Sequence, residues 1–234
     1  MYRSIKTNQG KYRYKFVPIF EGIKPIDKTI ANENLQLLKQ VCDRNKLPFL
    51  LFFGTLLGAV REHDFISHDE DIDLVMQKSD MPRFLDMLFQ LRDVGFEIAR
   101  YERRGFLSII RKGEYIDIYF FATYEKDPTL MYCCQDICER RFVEDTMPMT
   151  FLGQTYLAPR EYEAYLAHQY GDDWRTPSQK FQFGLSKAAK LKQLLISYSK
   201  IFIPVALLEK LQQKKEQPEL DRFIERIYAR RNIQ

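Results

Sequence analysis

The sequence predicts an α+β fold in which a small mixed or antiparallel sheet is flanked by helices, with a helical region at the C-terminal end. Short apolar runs bounded by Gly or Pro lie between residues 49 and 121 and are typical of strands. Apolar residues at helical spacing precede these runs and dominate the chain from about residue 185. The 234 residues fit one large domain, or one domain with a helical appendage, and 45% apolar residues are enough for a core.

The chain begins with an aromatic, basic stretch over residues 1–26 that has no clear period. We expect an extended segment there that covers an edge of the body and includes Tyr12, Tyr14, Phe16, Val17 and Ile19. Asp27 is a suitable N-cap for a helix over 28–46, which Leu47-Pro48 would end.

A strand, a turn and a short helix follow between residues 49 and 61. The apolar run Phe49–Phe53 predicts a buried strand, and Gly54-Thr55 predicts the turn into a helix over 56–61. At such a helix start, backbone N–H groups and the Thr55 hydroxyl can approach a phosphate, and Arg61 lies close enough to reach one.

The next predicted strand, 70–76, carries acids in an alternating pattern. Asp71 and Asp73 alternate with Ile72 and Leu74, so both carboxylates point to one face of the strand. Two adjacent carboxylates repel each other, and a divalent cation would remove that repulsion. Carboxylate oxygens suit Mg²⁺ or Mn²⁺.

Three antiparallel strands are predicted over 96–121, and the last of them contains Asp117 between two isoleucines. An acid in so apolar a strand is costly unless it is exposed or paired, which makes Asp117 the candidate third carboxylate for the Asp71/Asp73 pair. Residues 122–150 are less regular, and a hairpin over 151–159 leads into a helix that ends at Gly171. Three helical segments are predicted from about 185 onwards, the last beginning at Pro218.

The predicted constellation is the layout that phosphoryl or nucleotidyl transfer requires. Metal ions offset charge on the donor phosphates, and the third carboxylate can complete the metal shell or take the acceptor proton. The alternative interpretation of the acidic run is a solvated loop or strand edge. Cys133, Cys134 and Cys138 match no common zinc spacing, so reduced structural thiols are the expectation for this cluster.

Charge is distributed unevenly along the chain. Residues 1–174 carry 23 Lys and Arg against 27 Asp and Glu, whereas residues 175–234 carry 13 against 5. The basic end indicates an anionic partner or a solvated helical surface. An apolar stripe among its lysines is a candidate for contact with an anionic membrane: Leu194, Leu195, Ile196, Ile201, Phe202 and Ile203.

Localisation follows from what the sequence lacks. No apolar run approaches the roughly 20 residues of a membrane helix, and the N-terminal residues lack the apolar centre of a signal peptide. We therefore expect a cytoplasmic protein, with peripheral attachment to the inner face of the membrane as an open alternative.

The string GTLLGAVREHDFISHDEDIDL resembles the signature of the LicD family, which contains phosphocholine transferases of bacterial surface glycans and is related to the fukutin-related proteins. The resemblance continues at YIDIYFF and at FLGQTYLAPREYEAYLAHQYGDDWRTP, so three motifs in order cover residues 49–177. It implies a nucleotidyltransferase-like fold in residues 1–177, a basic helical region over 178–234 packed on it, and Mg²⁺-dependent transfer.

The resemblance also implies roles for individual residues. Gly54, Thr55 and Arg61 would contact the donor phosphates, and Asp71, Asp73 and Asp117 would form the metal and catalytic site with Asp69 beside them. The residues expected to line or brace the site are Glu70, Tyr170, Gly171, Asp172 and Trp174.

The acidic run departs from the family pattern in two places. Ser67-His68 stands where Pro-Trp is usual, and Glu70 stands where Asp is common. His68 could donate to a phosphate or act as an acid, or it could be an exposed loop residue.

The leading hypothesis is a transfer of a phospho-alcohol, such as phosphocholine, from a CDP-linked donor to a glycan or glycolipid acceptor. The acceptor would be a surface polysaccharide, teichoic acid or lipopolysaccharide precursor. One alternative is a nucleotidyltransferase that adds NMP to a small molecule, protein or RNA. Another is a non-catalytic module that binds glycan or membrane. Nucleic acid is not expected as a partner.

Overall fold

The computed structural model describes residues 2–15, 24–177, 191–192, 195–196, 203 and 205–231. Eleven strands alternate with helices in these parts of the chain, which confirms the α+β class with a mixed sheet. The strands are β1 (Tyr2–Thr7), β2 (Gly10–Lys15), β3 (Leu50–Leu51), β4 (Asp71–Gln77), β5 (Glu97–Glu102), β6 (Phe106–Arg111), β7 (Glu114–Tyr124), β8 (Asp127–Cys133), β9 (Asp136–Glu139), β10 (Thr146–Phe151) and β11 (Gln154–Pro159). The helices are α1 (Lys28–Arg44), α2 (Phe53–Arg61), α3 (Met81–Asp86), α4 (Leu88–Asp93), α5 (Arg141–Glu144), α6 (Tyr162–Tyr170) and α7 (Val205–Arg231).

Nine of these strands form one sheet, larger than the small sheet that the sequence predicted. Its main order is β10-β11-β3-β4-β7-β6-β5, and β8 and β9 extend from β7. β4 pairs with β7 in parallel, whereas β6 pairs antiparallel with both β7 and β5. The parallel pair places the acids of β4 beside those of β7.

Helix α1 starts at the predicted cap and covers the centre of the sheet. The Asp27 carboxylate accepts hydrogen bonds from the N–H groups of Thr29 and Ile30 at 3.1 Å each, as expected for an N-cap. The helix packs on β4 and β7 through an apolar face that includes Leu35 and Leu38, both fully buried. Burial of that face is what holds a helix of this length in place.

The N-terminal residues form a hairpin where a single extended segment was expected. β1 and β2 pair with each other, and Tyr12 and Tyr14 are buried, while Phe16, Val17 and Ile19 lie outside the described residues. The Tyr12 ring packs edge-on against Phe89 of α4, and the hairpin covers β5 and α3. Because β1 buries Ile5 and β2 buries Tyr12 and Tyr14, the hairpin is part of the core.

The region 122–150, which looked irregular in sequence, contains β8, β9 and α5. The β8–β9 hairpin carries Leu130 and Ile137, and these pack against Leu220 and Ile227 of α7 in a second apolar cluster. α7 runs unbroken through Pro218, so the predicted break there is wrong. Pro218 is exposed, and a proline inside a helix costs a backbone hydrogen bond. The packing of Leu220 and Ile227 on the β8–β9 hairpin offsets that cost.

The predicted apolar stripe of the basic C-terminal end falls partly among the described residues. Leu194, Ile201 and Phe202 of the predicted apolar stripe lie outside the described residues, while Leu195 and Ile196 are exposed. Among the described helices, none has the length and apolar character that crossing a bilayer requires. The boundary at 177/178 and the membrane contact remain predictions.

Candidate active site

Strand pairing brings the predicted carboxylates together. In the parallel β4–β7 pair, Asp73 is the register partner of Asp117, and Asp71 is the partner of Tyr115. Side chains of register partners lie on the same face of a sheet, so Asp71, Asp73 and Asp117 share one face. Ile72 and Leu74, between the acids, are fully buried on the other face.

The start of α2 is bonded directly to Asp73. The Gly54 N–H donates to Asp73 Oδ2 at 3.1 Å, the Asp73 N–H donates to Thr55 Oγ1 at 2.8 Å, and the Phe52 N–H donates to the Asp73 carbonyl at 3.2 Å. Thr55 is buried. The strand predicted over Phe49–Phe53 spans Leu50–Leu51, and the turn predicted at Gly54-Thr55 is wrong, because α2 already begins at Phe53 and contains both residues. These three hydrogen bonds join the first turn of α2 to the acidic strand, so the helix N-terminus lies beside the carboxylates.

Gly54 is the residue type that this contact requires. A Cβ at Gly54 would lie 2.3 Å from Asp69 Oδ2 and 3.3 Å from Asp73 Oδ2. The Asp69 carboxylate therefore occupies the space beside Gly54, in the first turn of α2. Its other oxygen accepts a hydrogen bond from the Glu70 N–H at 3.2 Å, so Asp69 joins the acidic cluster.

The clustered acids hold protons more tightly than isolated carboxyls. Burial, followed by the charges of neighbouring acids, raises the pKa of Asp71 and of Asp73 well above the usual range. Burial raises the pKa of Asp117 to about 6, although a hydrogen bond from Ser108 and the charge of Arg100 lower it. Burial also raises the pKa of Asp69 and of Glu70. When ionised, these five acids place more negative charge at the site than the neighbouring cations balance.

The donor set fits a hard divalent cation in its chemistry, since all of its members are carboxylates. Within the described parts of the chain, no three His, Cys, Asp or Glu side chains are already arranged around one cation position. Side-chain rotation would therefore have to complete such a site. Burial, and then repulsion from the neighbouring acids, raises the pKa of Asp71 and of Asp73, and a bound cation would offset both effects.

A cleft of about 380 Å³ opens next to the cluster. Its lining includes Gly54, Arg61, His68, Asp69, Tyr170 and Trp174. Arg61 donates from Nη1 to the Trp174 carbonyl at 3.3 Å and from Nη2 to Glu62 at 2.8 Å. Its Nε is buried and has no partner among the described residues, whereas the rest of the Arg61 side chain lines the cleft.

The predicted site residues between Tyr170 and Trp174 lie partly in the cleft and partly on the outer surface. Trp174 is buried, with the Arg175 guanidinium 4.2 Å from its ring centre. Partial burial, then the charges of Asp73 and Asp69, raises the pKa of Tyr170. Asp172 points to solvent beside Arg230, and its neighbour Asp173 lines the cleft in its place.

Sequence reasoning missed two polar residues on the carboxylate face, Ser108 and Arg100. The Ser108 hydroxyl donates to Asp117, and Arg100 is the register partner of Ser108 on β5. Ser108 is a lone polar residue in the apolar run FLSIIR, which was the available signal. The contact between Ser108 and Asp117 depends on the register of β6 against β7, which the sequence alone does not determine.

The cysteine cluster contains free thiols. The Cys133 thiol donates to the Gly105 carbonyl at 3.1 Å, and burial helps to raise the pKa of Cys138 well above its usual range. Buried protonated thiols behave as small apolar residues, in line with a structural role.

In the presence of a chelator, we expect thermal stability to rise as the pH falls from 8 to 6.5. Burial raises the pKa of Asp136 to about 7 and that of Asp117 to about 6, whereas an unfolded Asp titrates near pH 4, at about 3.9. The folded state therefore binds protons in this window that the unfolded state does not, and this stabilises it. Buried His168 has a lowered pKa and acts in the opposite direction, but mainly below about pH 6.5.

Differential scanning calorimetry across this range measures the slope. Asp136→Asn should flatten it, because the group with the higher pKa no longer titrates. Stability that is unchanged or falls on acidification to pH 6.5 would contradict the charge concentration described above.

Comparison with known proteins identifies the family. Residues 46–161 match the model of the LicD family, described as LicD/FKTN/FKRP, nucleotidyltransferase domain. The chain is 41% identical over 56 residues to the lipopolysaccharide cholinephosphotransferase LicD of Haemophilus influenzae, which covers 24% of this chain and 21% of that protein. It is 30% identical over 95 residues to an uncharacterized protein of Rickettsia typhi, covering 39% of this chain and 29% of that one. The matches thus span less than a third of these relatives' length.

Solved structures with a similar arrangement are more distant. One is the lincosamide adenylyltransferase LnuA with lincomycin bound, at 12% identity and a TM-score of 0.43, covering 74% of this chain and 98% of that one. Another is the antibiotic-resistance factor ANT(2'')-Ia in solution, at 12% identity and a TM-score of 0.46, covering 88% and 97%.

The family match contains β3, α2, β4 and β7, which are the elements that carry the acids and the helix start. It ends before α6 and the cleft residues Tyr170 and Trp174. On the strength of this match, residues 46–161 form a domain of the LicD family.

Proposed function

We propose that this protein is a metal-dependent transferase that moves a phospho-alcohol, such as phosphocholine, from a CDP-activated donor to a hydroxyl of a surface polysaccharide or lipopolysaccharide precursor. The observation that carries the proposal is the joining of Asp71, Asp73 and Asp117 to the start of α2 on one face of the sheet. The named activity of the Haemophilus influenzae relative supports the substrate class.

Asp71 and Asp73 are the proposed ligands of Mg²⁺ or Mn²⁺, and Asp69 is close enough to join them. When bound, the cation supplies positive charge against the phosphate oxygens of the donor. The donor phosphates are proposed to lie along the cleft beside α2. There the positive charge of Arg61, which lines the cleft, and the positive end of the helix both favour negative charge.

Asp117 is the proposed general base. One of its oxygens accepts from Ser108, which leaves the second free to take the acceptor hydroxyl proton. A pKa of about 6 suits a base at neutral pH, because the group is mostly ionised yet still basic. The acceptor oxygen then attacks the phosphorus that carries the alcohol. The bond from this phosphorus to the CMP oxygen breaks, and CMP leaves.

The site of action is proposed to be the cytoplasmic face of the membrane, where glycolipid precursors would be accessible. The basic residues of the C-terminal region support this proposal through their attraction to anionic lipid head groups.

Thermal denaturation with Mg²⁺ and one CDP-linked compound at a time tests the donor class. We expect CDP-choline, CDP-ethanolamine or CDP-glycerol to raise the melting temperature by roughly 5–10 °C. A ligand at about 100 times its Kd adds about 2.7 kcal/mol, and about 1 kcal/mol shifts a protein of this size by about 2–4 °C. CTP with Mg²⁺ and CDP-choline with chelator are the controls.

Mass analysis of the acceptor product then separates the two transfer reactions. An added phospho-alcohol supports the proposal, whereas an added NMP would show a nucleotidyltransferase, the activity suggested by the name of the matched domain. If neither a CDP-linked compound nor a metal shifts the melting temperature, the protein is a binding module and the proposal fails.

A further inference from the structure

Four polar side chains form a row across four adjacent strands, which we call the polar row: Asp73, Asp117, Ser108 and Arg100. Each is the register partner of the next, from β4 through β7 and β6 to β5. Register partners share a face, so the row continues the carboxylate face towards the far edge of the sheet. It begins with the acids and ends with a cation.

Arg100 is held rigidly at the end of the polar row. Its Nε donates to Glu102 Oε1 at 2.8 Å, its Nη2 contacts the same oxygen, and its guanidinium carbon lies 4.4 Å from the centre of the Phe106 ring. Glu102 is itself buried and fixed by Arg104 at 2.7 Å and by Gln212 of α7 at 3.3 Å. A guanidinium fixed in this way loses little conformational entropy when it binds a ligand.

One side of this guanidinium is open to solvent. The Arg100 side chain is 44% exposed, and its Nη1 has no hydrogen bond to any residue that the structure describes. Its charge lowers the pKa of Asp117, yet no Arg100 nitrogen lies within 4.0 Å of an Asp117 oxygen, although both residues are described. The two groups are therefore close without forming an ion pair.

The position of Arg100 relative to α2 decides which substrate it meets. Gly54 and the cleft adjoin β4 from the side of β3, whereas β7, β6 and β5 follow on the other side of β4. With strands about 4.8 Å apart, the backbone of Arg100 lies roughly 14 Å from that of Asp73, beyond Asp117. If Asp117 receives the acceptor proton, the region between Asp117 and Arg100 belongs to the acceptor.

We propose that Arg100 binds an anionic group of the acceptor, a phosphate or a carboxylate, near the hydroxyl that receives the phospho-alcohol. This rests on the proposed function for the meaning of "acceptor", and it narrows the substrate class to acidic glycans or phosphorylated glycolipid precursors. A planar guanidinium binds both groups through paired N–H bonds.

Ligand-observed NMR with three sugars and the whole protein tests the inference. Galactose, galactose 6-phosphate and galacturonate are titrated in the presence of Mg²⁺ into wild type, Arg100→Gln, Arg100→Lys and Arg103→Gln. Arg103 is the matched control because it is a neighbouring exposed arginine that pairs with Glu209 of α7 and lies outside the polar row.

We expect galactose 6-phosphate, galacturonate or both to bind wild type and Arg103→Gln more tightly than galactose does. Arg100→Gln should weaken acidic-sugar binding about 10-fold or more, the usual effect of losing a charged hydrogen bond, and should leave galactose binding unchanged. Arg100→Lys should retain part of the affinity. Preference for the phosphate or for the carboxylate identifies the source of the anion.

Three results would overturn the inference. Acidic sugars could bind wild type no better than galactose, Arg103→Gln could weaken them as much as Arg100→Gln does, or Arg100→Gln could lose CDP-choline binding while keeping the acidic sugars. CDP-choline titrated into wild type tests the proposed function separately. Its failure to bind would reject that function, while the sugar comparison would still decide whether Arg100 binds anions.

Discussion

Replacing Asp71 or Asp73 with Asn is expected to abolish transfer while the protein remains folded. Both side chains lie in the acid cluster at the start of α2, and Asn keeps their size but removes the negative charge that a cation requires. A loss of several kcal/mol of transition-state stabilisation corresponds to about 10³-fold or more in rate. Incorporation of labelled phosphocholine from CDP-choline into lipopolysaccharide measures it.

The same substitutions should raise stability when no metal is present. Burial, and then repulsion from the neighbouring acids, raises the pKa of Asp71 well above its usual range. Its ionised form is therefore unfavourable in the folded state. Asp71→Asn should therefore melt about 2–4 °C higher than wild type at pH 7.5 in chelator, as about 1 kcal/mol produces in a protein of this size. Added Mg²⁺ should reduce or reverse the difference, because only wild type keeps the full ligand set.

Asp172→Asn is the control for charge alone. Asp172 is exposed beside Arg230, and its loss should change neither transfer nor the response to Mg²⁺. Wild-type turnover in both Asp71→Asn and Asp73→Asn would rule out the metal-site assignment. If Asp71→Asn melts at a lower temperature than wild type in chelator, the ionised acids do not destabilise the metal-free protein.

Gly54→Ala is expected to remove most activity through the position of one carboxylate. The new methyl would lie 2.3 Å from Asp69 Oδ2, so the Asp69 carboxylate must move by about an ångström or more to reach ordinary contact. Misplacement on this scale costs about 10²-fold in rate. Because the obstacle is the end of a side chain and Ala favours helix over Gly, stability should be unchanged or slightly higher.

Gly58→Ala in the same helix gives the contrasting result. Its methyl would lie 2.6 Å from the Asp64 carbonyl oxygen, which is backbone and cannot rotate away. This variant should lose roughly 1–3 kcal/mol of stability, the usual cost of overpacking. Urea denaturation and kcat/KM measured on both variants separate the two effects. A Gly54→Ala enzyme with normal kcat/KM would show that Asp69 has no part in the reaction.

Local patterns predicted the elements that are locally determined. The alternation of Asp71 and Asp73 with Ile72 and Leu74 predicted a strand with both acids on one face, and Asp27 predicted the start of α1. The elements that were missed depend on distant partners. β8 and β9 bury Leu130 and Ile137 against α7, and the N-terminal hairpin buries Tyr12 against α4. These partners lie far away in sequence, so a pattern within a short window cannot reveal them.

The site shows the same division. Asp117 could be selected from sequence because an acid between two isoleucines is costly without a partner, and the register places it beside Asp73. Arg100 lies in EIARYE, where a charged residue on an exposed strand face needs no explanation. Only the pairing of β5 with β6, which includes an irregularity between Ile98 and Arg100, places it in line with Ser108. The metal and the substrates stay predictions.

The parallel pairing of β4 with β7 has a consequence for how the chain reaches its native state. Parallel strands cannot be joined by a tight hairpin, and here α3, α4, β5 and β6 intervene before β7 returns beside β4. Pairings between such distant segments form slowly, because loop closure precedes the contacts that reward it. In this chain the same event also brings Asp73 next to Asp117. The slow pairing of distant strands and the electrostatic cost of gathering these acids therefore coincide in one step. We expect ions or protons that neutralise the acids to speed folding.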